Sequence, residues 1–303
     1  MNPRFPVYIV SKGRWDSRLT VKTLDKISVP FRIIIEQQEW NDYAKVIDPD
    51  KILILDPAYQ QAYNTFDRLG DAKSKGPGAA RNFAWAHAKA SGAEWHWVMD
   101  DNIRYFSRYN HNREIRVGDG TILRCMEDFT LRYTNVAMAG PNYESFVLRR
   151  QKRPPVTFNT RIYSCNLIRN SLPYRWRGRY NEDTDLSLRM LKNGWCTILF
   201  NAFVQKKVAT QRIPGGCTKD FYEKEGTLPK STMLLNLHPD VTRLVWRWNR
   251  WHHHVNYQPF KKNKLILQPD VELDNSTDDY GMKIVNQLDQ SSTTSWVAQP
   301  KCI

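Results

Sequence analysis

Four short apolar runs most constrain what this chain can fold into: Val7–Val10, Phe31–Glu36, Ile52–Asp56 and Trp95–Met99. Each is nearly unbroken in apolar character and short for a helix, the pattern of a strand buried on both faces. Between them lie stretches with helical spacing: residues 15–27 through Leu19, Leu24 and Ile27, then Trp40–Val46, then Ala79–Ala90. This alternation predicts an α/β fold with a mixed, mainly parallel sheet flanked by helices. Ligands of such sheets bind beyond the carboxyl ends of the strands. Gly13, Glu36, Asp56 and Asp100 fall there.

The second half is less regular. The spacing predicts a helix over 124–138, strands within Val156–Leu167, a helix over Asp183–Lys192 closed by Asn193-Gly194, and a strand over Trp195–Val204. Pro214-Gly215-Gly216 marks a loop, and residues 229–254 read as a helical C-terminal extension. The expected organisation is a catalytic domain over 1–210, divided into a nucleotide-binding half (1–103) and an acceptor half (104–210). A loop and helical region (211–267) completes the site, and a polar tail follows (268–303).

Trp97-Val98-Met99-Asp100-Asp101-Asn102 ends an apolar strand in two carboxylates and an amide. Adjacent carboxylates repel, so a fold keeps them together where a cation sits beside them. An oxygen-only donor set favours magnesium, manganese or calcium; the other reading is a solvated turn. Gly76-Pro77-Gly78-Ala79-Ala80-Arg81-Asn82 places glycines at a helix start. Its amides can receive phosphate there, or it is a plain turn and cap. Asn181-Glu182-Asp183-Thr184-Asp185 puts three acids at another helix start, more than capping requires, and supplies a candidate general base. His238 and the run His252-His253-His254 are further candidates for metal ligation, against a purely structural role.

Charge widens the question. The chain of 303 residues carries a formal net charge of +14, which calls for a polyanionic partner. Arg149, Arg150, Lys152, Arg153, Arg161, Arg169, Arg175, Arg177 and Arg179 fall in a segment without an acid, interleaved with Phe158, Tyr163, Tyr174 and Trp176. Cations and aromatics together suit phosphate contact and base stacking. The five cysteines are scattered, and neither a disulfide framework nor a zinc site is expected. No apolar run is long enough to cross a membrane and no signal peptide opens the chain, so a cytoplasmic protein is expected.

In chain order these motifs resemble those of GT-A glycosyltransferases, over roughly residues 5–205. Ser11-Lys12-Gly13-Arg14 resembles their nucleotide-binding opening, and Asp100-Asp101-Asn102 their D-x-D metal motif. Gly78-Ala79-Ala80-Arg81-Asn82 resembles their Ala-Arg-Asn helix start, and Glu182-Asp183-Thr184-Asp185-Leu186 their E-D-x-D-L base motif. Tyr8–Arg14, Gly78–Asn82, Trp95–Ile103, Leu237–Asp240 and the run from His253 are similar, more closely, to the TET-associated glycosyltransferases of bacteriophages, to about residue 267.

The resemblance implies sugar transfer from a nucleotide-diphosphate sugar, a UDP-sugar, to a hydroxymethylated pyrimidine such as 5-hydroxymethylcytosine in phage DNA, in the cytoplasm of the bacterial host. It implies that Ser11, Arg14 and Glu36 contact the nucleotide and that Arg81 lies near its diphosphate. Asp100, Asp101 and Asn102 hold Mn2+ or Mg2+, with His238 or His253 as added ligands. Asp183 acts as base with Glu182 or Asp185 in support, by displacement with inversion. Arg149, Arg150, Lys152, Arg153, Arg175, Trp176, Arg177 and Arg179 then face DNA. Two other readings stand beside this one: transfer to a polysaccharide acceptor, and DNA binding without catalysis.

Overall fold

The computed structural model describes residues 1–67, 74–110, 113–147, 153–208 and 228–271. One end of its sheet is the predicted parallel unit: β1 (Val7–Val10), β2 (Arg32–Ile35), β3 (Ile52–Ile54) and β4 (Trp95–Asp100) pair in parallel in the order β3-β2-β1-β4. Side chains alternate across a strand, and here both sides are apolar. Val7, Ile9, Trp97 and Met99 pack with Val21 and Leu24 of α1 (Leu19–Lys26) and with Ile122 and Met126 of α2 (Thr121–Thr130). Tyr8, Val10 and Val98 pack on the other face with Ala84, Trp85 and Ala88 of α3 (Gly78–Ala90) and with Leu186 and Met190 of α4 (Glu182–Lys192).

The sheet continues past β4 through β9 (Cys165–Arg169), β7 (Val136–Tyr143), β10 (Cys196–Lys207), β5 (Ile103–Asn110) and β6 (Arg113–Arg116). The short β8 (Val156–Phe158) pairs with β10. β9 is antiparallel to both β4 and β7, and β7 is parallel to β10. β1, β4, β7 and β10 therefore point the same way, and their carboxyl ends share one edge. The fold is mixed α/β, and no helix among the described residues is long and apolar enough to cross a membrane.

Several expectations shift. The helix read over 124–138 spans Thr121–Thr130 instead, and β7 begins at Val136. The helical reading of 229–254 is corrected more sharply. α5 (Leu228–Leu237) stops before His238-Pro239, where the proline disfavours a helical predecessor. Thr242–Arg247 (β11) and Arg250–Val255 (β12) then form an antiparallel hairpin. The chain from 256 to 271 straps back across the fold, with Leu267 bridging Tyr133 and the Asn263 amide donating to the carbonyls of Leu191 and Trp195. The expected loop at 214–216 and most of the expected tail lie outside the described residues.

Candidate active site

Three acids from two distant segments meet on one guanidinium. Arg81, in the first turn of α3 and 2% exposed, donates through Nη2 to Asp100 Oδ1 at 2.6 Å. Its Nη1 reaches Asp183 Oδ1 at 2.7 Å and Glu182 Oε1 at 3.1 Å. Trp176 covers its other side, 4.6 Å from ring centroid to guanidinium carbon. Asn82, the next residue, clamps the Trp176 backbone through both its amide atoms. The glycine that opens the helix serves this packing. A side chain at Gly78 would run into the Tyr63 hydroxyl, and Tyr63 itself donates to the Gly178 carbonyl at 2.8 Å.

A second cation completes the cluster. Lys207, the last residue of β10, donates Nζ to Asp100 Oδ2 and, at 2.8 Å, to Ser164 Oγ. Ser164 in turn meets the Tyr143 hydroxyl. Burial alone would lift the Asp100 pKa, yet Lys207 and Arg81 overcome it and hold the carboxyl well below its usual range. Asp183 goes the other way. Desolvation first, then the Glu182 and Asp100 charges, outweigh Arg81 and push it up to about 7. Two carboxylates on one arginine thus titrate apart, the arrangement that separates a base from a permanent anion.

Asp101 and Asn102 do not join this cluster. Asp101 is 5% exposed; Arg14 Nη1 donates to its Oδ1 at 2.5 Å and Ser11 Oγ to its Oδ2 at 2.8 Å. The Tyr43 hydroxyl joins Ser11 at 2.6 Å and accepts from the Arg14 amide at 3.2 Å. Desolvation raises the Asp101 pKa despite Arg14. Arg14 is thus a buried counter-ion of the strand-end turn. Asn102 Nδ2 donates to the Val208 carbonyl at 2.9 Å, while its Oδ1 is buried without a partner. Glu36 lies beside this opening, accepting from Lys12 and Gln60 at 2.9 Å each.

Asp185 is spoken for by the fold. It is fully buried and receives His238 Nε2 at 2.9 Å, Arg189 Nε at 2.8 Å and the Arg177 guanidinium at 3.0 Å. Against the cost of burial, His238 and Arg177 lead in pulling its pKa down to about 2. This ties α4 to α5 and the 175–179 segment, so Asp185 is held as a structural latch, while His238 keeps its Nδ1 buried without a partner among the described residues. A depressed carboxylate stabilises above its unfolded pKa and loses that contribution as pH falls through its folded value. Unfolding free energy is therefore expected to drop by about 2 kcal/mol between pH 4 and 2. Urea titrations across that window should show the drop in the native chain and not in Asp185→Asn; equal slopes would remove Asp185 as its source.

Metal ligation has a narrower donor set than expected. Among the described residues no three His, Cys, Asp or Glu side chains are grouped closely enough to hold an ion. His253 sits on β12, its pKa pushed down to about 3 by burial and by Arg161 and Lys230. The carboxylate best placed for an ion is Asp100, 18% exposed at the strand end, where Arg81 and Lys207 now hold its two oxygens. A hard cation such as magnesium is commonly held by one or two carboxylates, with substrate phosphates and water filling the rest.

The expected DNA face divides. Trp176 is 2% exposed beneath Arg81, and Arg179 is 1% exposed, its guanidinium on Asp67, so both build the interior rather than a nucleic-acid surface. Arg177 is turned to Asp185, and Arg175 lies over the Trp85 ring, donating to the Leu172 and Tyr174 carbonyls. Arg153 lines a cavity of about 560 Å3 with Arg161, Tyr163, His253 and Tyr257. Arg149, Arg150 and Lys152 lie outside the described residues. Lys207, Ser164 and Tyr143 were not anticipated; a lysine ending an apolar strand was the available signal.

A family profile described as TET-Associated Glycosyltransferase matches residues 5–216 of this sequence. No curated protein matches the chain.

Proposed function

This chain belongs to the TET-associated glycosyltransferases, and from that membership we propose that it moves a sugar from a UDP-sugar to the hydroxyl of 5-hydroxymethylcytosine, or a related hydroxymethylated pyrimidine, in DNA. The observation that carries the reading is the Arg81 junction, where the acid ending β4 and the acids opening α4 converge although Asp100 and Asp183 lie far apart in the chain. That is the juxtaposition a transferase needs between the donor's diphosphate and the acceptor's nucleophile.

Asp183 serves as the base. Its Oδ accepts the proton of the acceptor hydroxyl as that oxygen bonds to the anomeric carbon. The bond from that carbon to the diphosphate breaks, and its electron pair leaves with the diphosphate. One base and one leaving group on opposite sides give inversion. Arg81 keeps Asp183 aimed and Glu182 restrained beside it. Lys207 offers positive charge where the diphosphate departs. Asp100 would hold Mn2+ or Mg2+, which supplies Lewis-acid stabilisation of the leaving group.

The test is a donor screen. Candidate UDP-sugars are incubated with hydroxymethylated and unmodified DNA, with and without Mn2+ or Mg2+, and the digested nucleosides are weighed. One sugar's mass is expected on the hydroxymethylated base alone, and the gain should vanish with chelator. No gain with any donor would overturn the reading; gain on a polysaccharide instead would move the acceptor. With the Asp183 pKa near 7, turnover should climb about tenfold per pH unit below 7 and flatten above it. A profile flat from pH 5 to 8 would remove Asp183 as the base.

A further inference from the structure

Trp248 is 79% exposed, more than any other large apolar side chain among the described residues. It stands at the tip of the β11–β12 hairpin, whose register runs from Thr242 opposite Val255 to Arg247 opposite Arg250 and leaves a two-residue turn, Trp248-Asn249. Both turn residues are left-handed, at φ 51° and 55°. That geometry matches the twist of a hairpin, but it favours asparagine and glycine. A bulky aromatic there is strained, and the fold returns little, an edge contact with the His252 ring at 5.3 Å. Strain and exposure together mark a side chain placed for something outside the chain.

The surroundings say what. Arg243, Arg247 and Arg250 are exposed, and no acid occurs from 242 to 255. Trp246 and Trp251 stack edge to face behind the tip, at 5.3 Å. At the hairpin's base, His253–Val255 line the 560 Å3 cavity with Asn142, Phe146 and Tyr163. That cavity adjoins the carboxyl end of β7, where Tyr143 connects through Ser164 to Lys207 and Asp100. It is of a size to hold a nucleotide.

We propose that this hairpin is a wedge for duplex DNA: Trp248 enters the base stack where the acceptor pyrimidine leaves it, and Arg247 and Arg250 hold the flanking phosphates. The inference rests on the DNA acceptor reading. Extrusion sacrifices stacking and pairing, and an inserted aromatic returns part of that loss. The same tip chemistry would suit an anionic bilayer, but the cavity behind it carries Asn142, Arg153 and Arg161, which suit a nucleotide and not an acyl chain.

The test uses the full chain, Trp248→Ala and Trp248→Phe. Substrates are a duplex with one 5-hydroxymethylcytosine next to 2-aminopurine, and the same strand alone. Trp248→Ala should transfer sugar to the duplex about tenfold or more slowly and to the single strand within twofold of the native rate. It should also lose the rise in 2-aminopurine fluorescence, and Trp248→Phe should recover much of both. Equal duplex rates and fluorescence in the native chain and Trp248→Ala would overturn the wedge while leaving DNA as acceptor. If the native chain modifies no DNA, the acceptor reading fails and takes the wedge with it. A blue-shifted tryptophan emission with phosphatidylserine vesicles, and none with duplex, would overturn it in favour of a membrane contact.

Discussion

Replacing Asp183 by asparagine should lower kcat by roughly 10^2–10^4-fold, the usual worth of a positioned general base, with little change in KM for the nucleotide sugar. The substitution keeps the shape of the side chain and its place in the first turn of α4, and the amide oxygen can still accept from Arg81 Nη1. It also removes one of three carboxylates crowded on one guanidinium. The melting temperature should therefore move by only a few degrees. Steady-state kinetics on hydroxymethylated duplex, with thermal unfolding of the same sample, separates the two quantities. Activity within tenfold of the native chain would take the base role from Asp183. A large loss of melting temperature would make its role structural.

The second large effect concerns stability. Arg81→Ala leaves Asp100, Glu182 and Asp183 facing one another without their shared cation, in a place with little solvent to screen them. Removing one partner of a buried ion pair typically costs about 3–5 kcal/mol, which for a chain of this size corresponds to a fall in melting temperature of roughly 10 °C. Activity should vanish as well, because the base loses its aim. Arg81→Lys keeps the charge but cannot fork to three carboxylates across two nitrogens, so it should recover stability only in part and activity hardly at all. Asp183→Asn combined with Arg81→Ala should be more stable than Arg81→Ala alone, since it relieves the repulsion that the arginine had held in check. Additive losses in the double variant would show that Arg81 and Asp183 do not communicate.

The parts of this architecture that sequence reveals are those fixed by local composition. β1 to β4 could be read because strands covered on both faces need no alternation, only a short apolar run, and each of the four has one. The acids at Asp100 and Asp183 were equally visible as carboxylates where strands end and helices start. Their partners were not. An arginine near a glycine-rich helix start looks the same whether it spends its donors on phosphate or, like Arg81, on three carboxylates. Lys207 reaches Asp100 only because β9 and β7 are inserted between β4 and β10, a fact of pairing order with no local signature. Trp176 and Arg179 read as a stacking surface because exposed base-stacking pairs and buried cation–aromatic pairs use the same residues. The hairpin at 242–255 was missed because its turn is Trp-Asn rather than a glycine-bearing pair, and three successive histidines state no period.

The order of strands has one more consequence, for how the molecule comes into being. Several pairings in the middle of the sheet join segments far apart in the chain: Trp97 pairs with Leu167, Val7 with Trp97, and Cys196 with Val136. Loop-closure entropy must be paid for each before it returns any contact. Acquisition of the native state is thus dominated by long-range search rather than by local nucleation. The cluster around Arg81 draws on α3, β4, α4 and β10 at once. It exists only after the last of them has docked, so a nascent chain released from the ribosome short of β10 has every acid of the cluster and not the cluster itself.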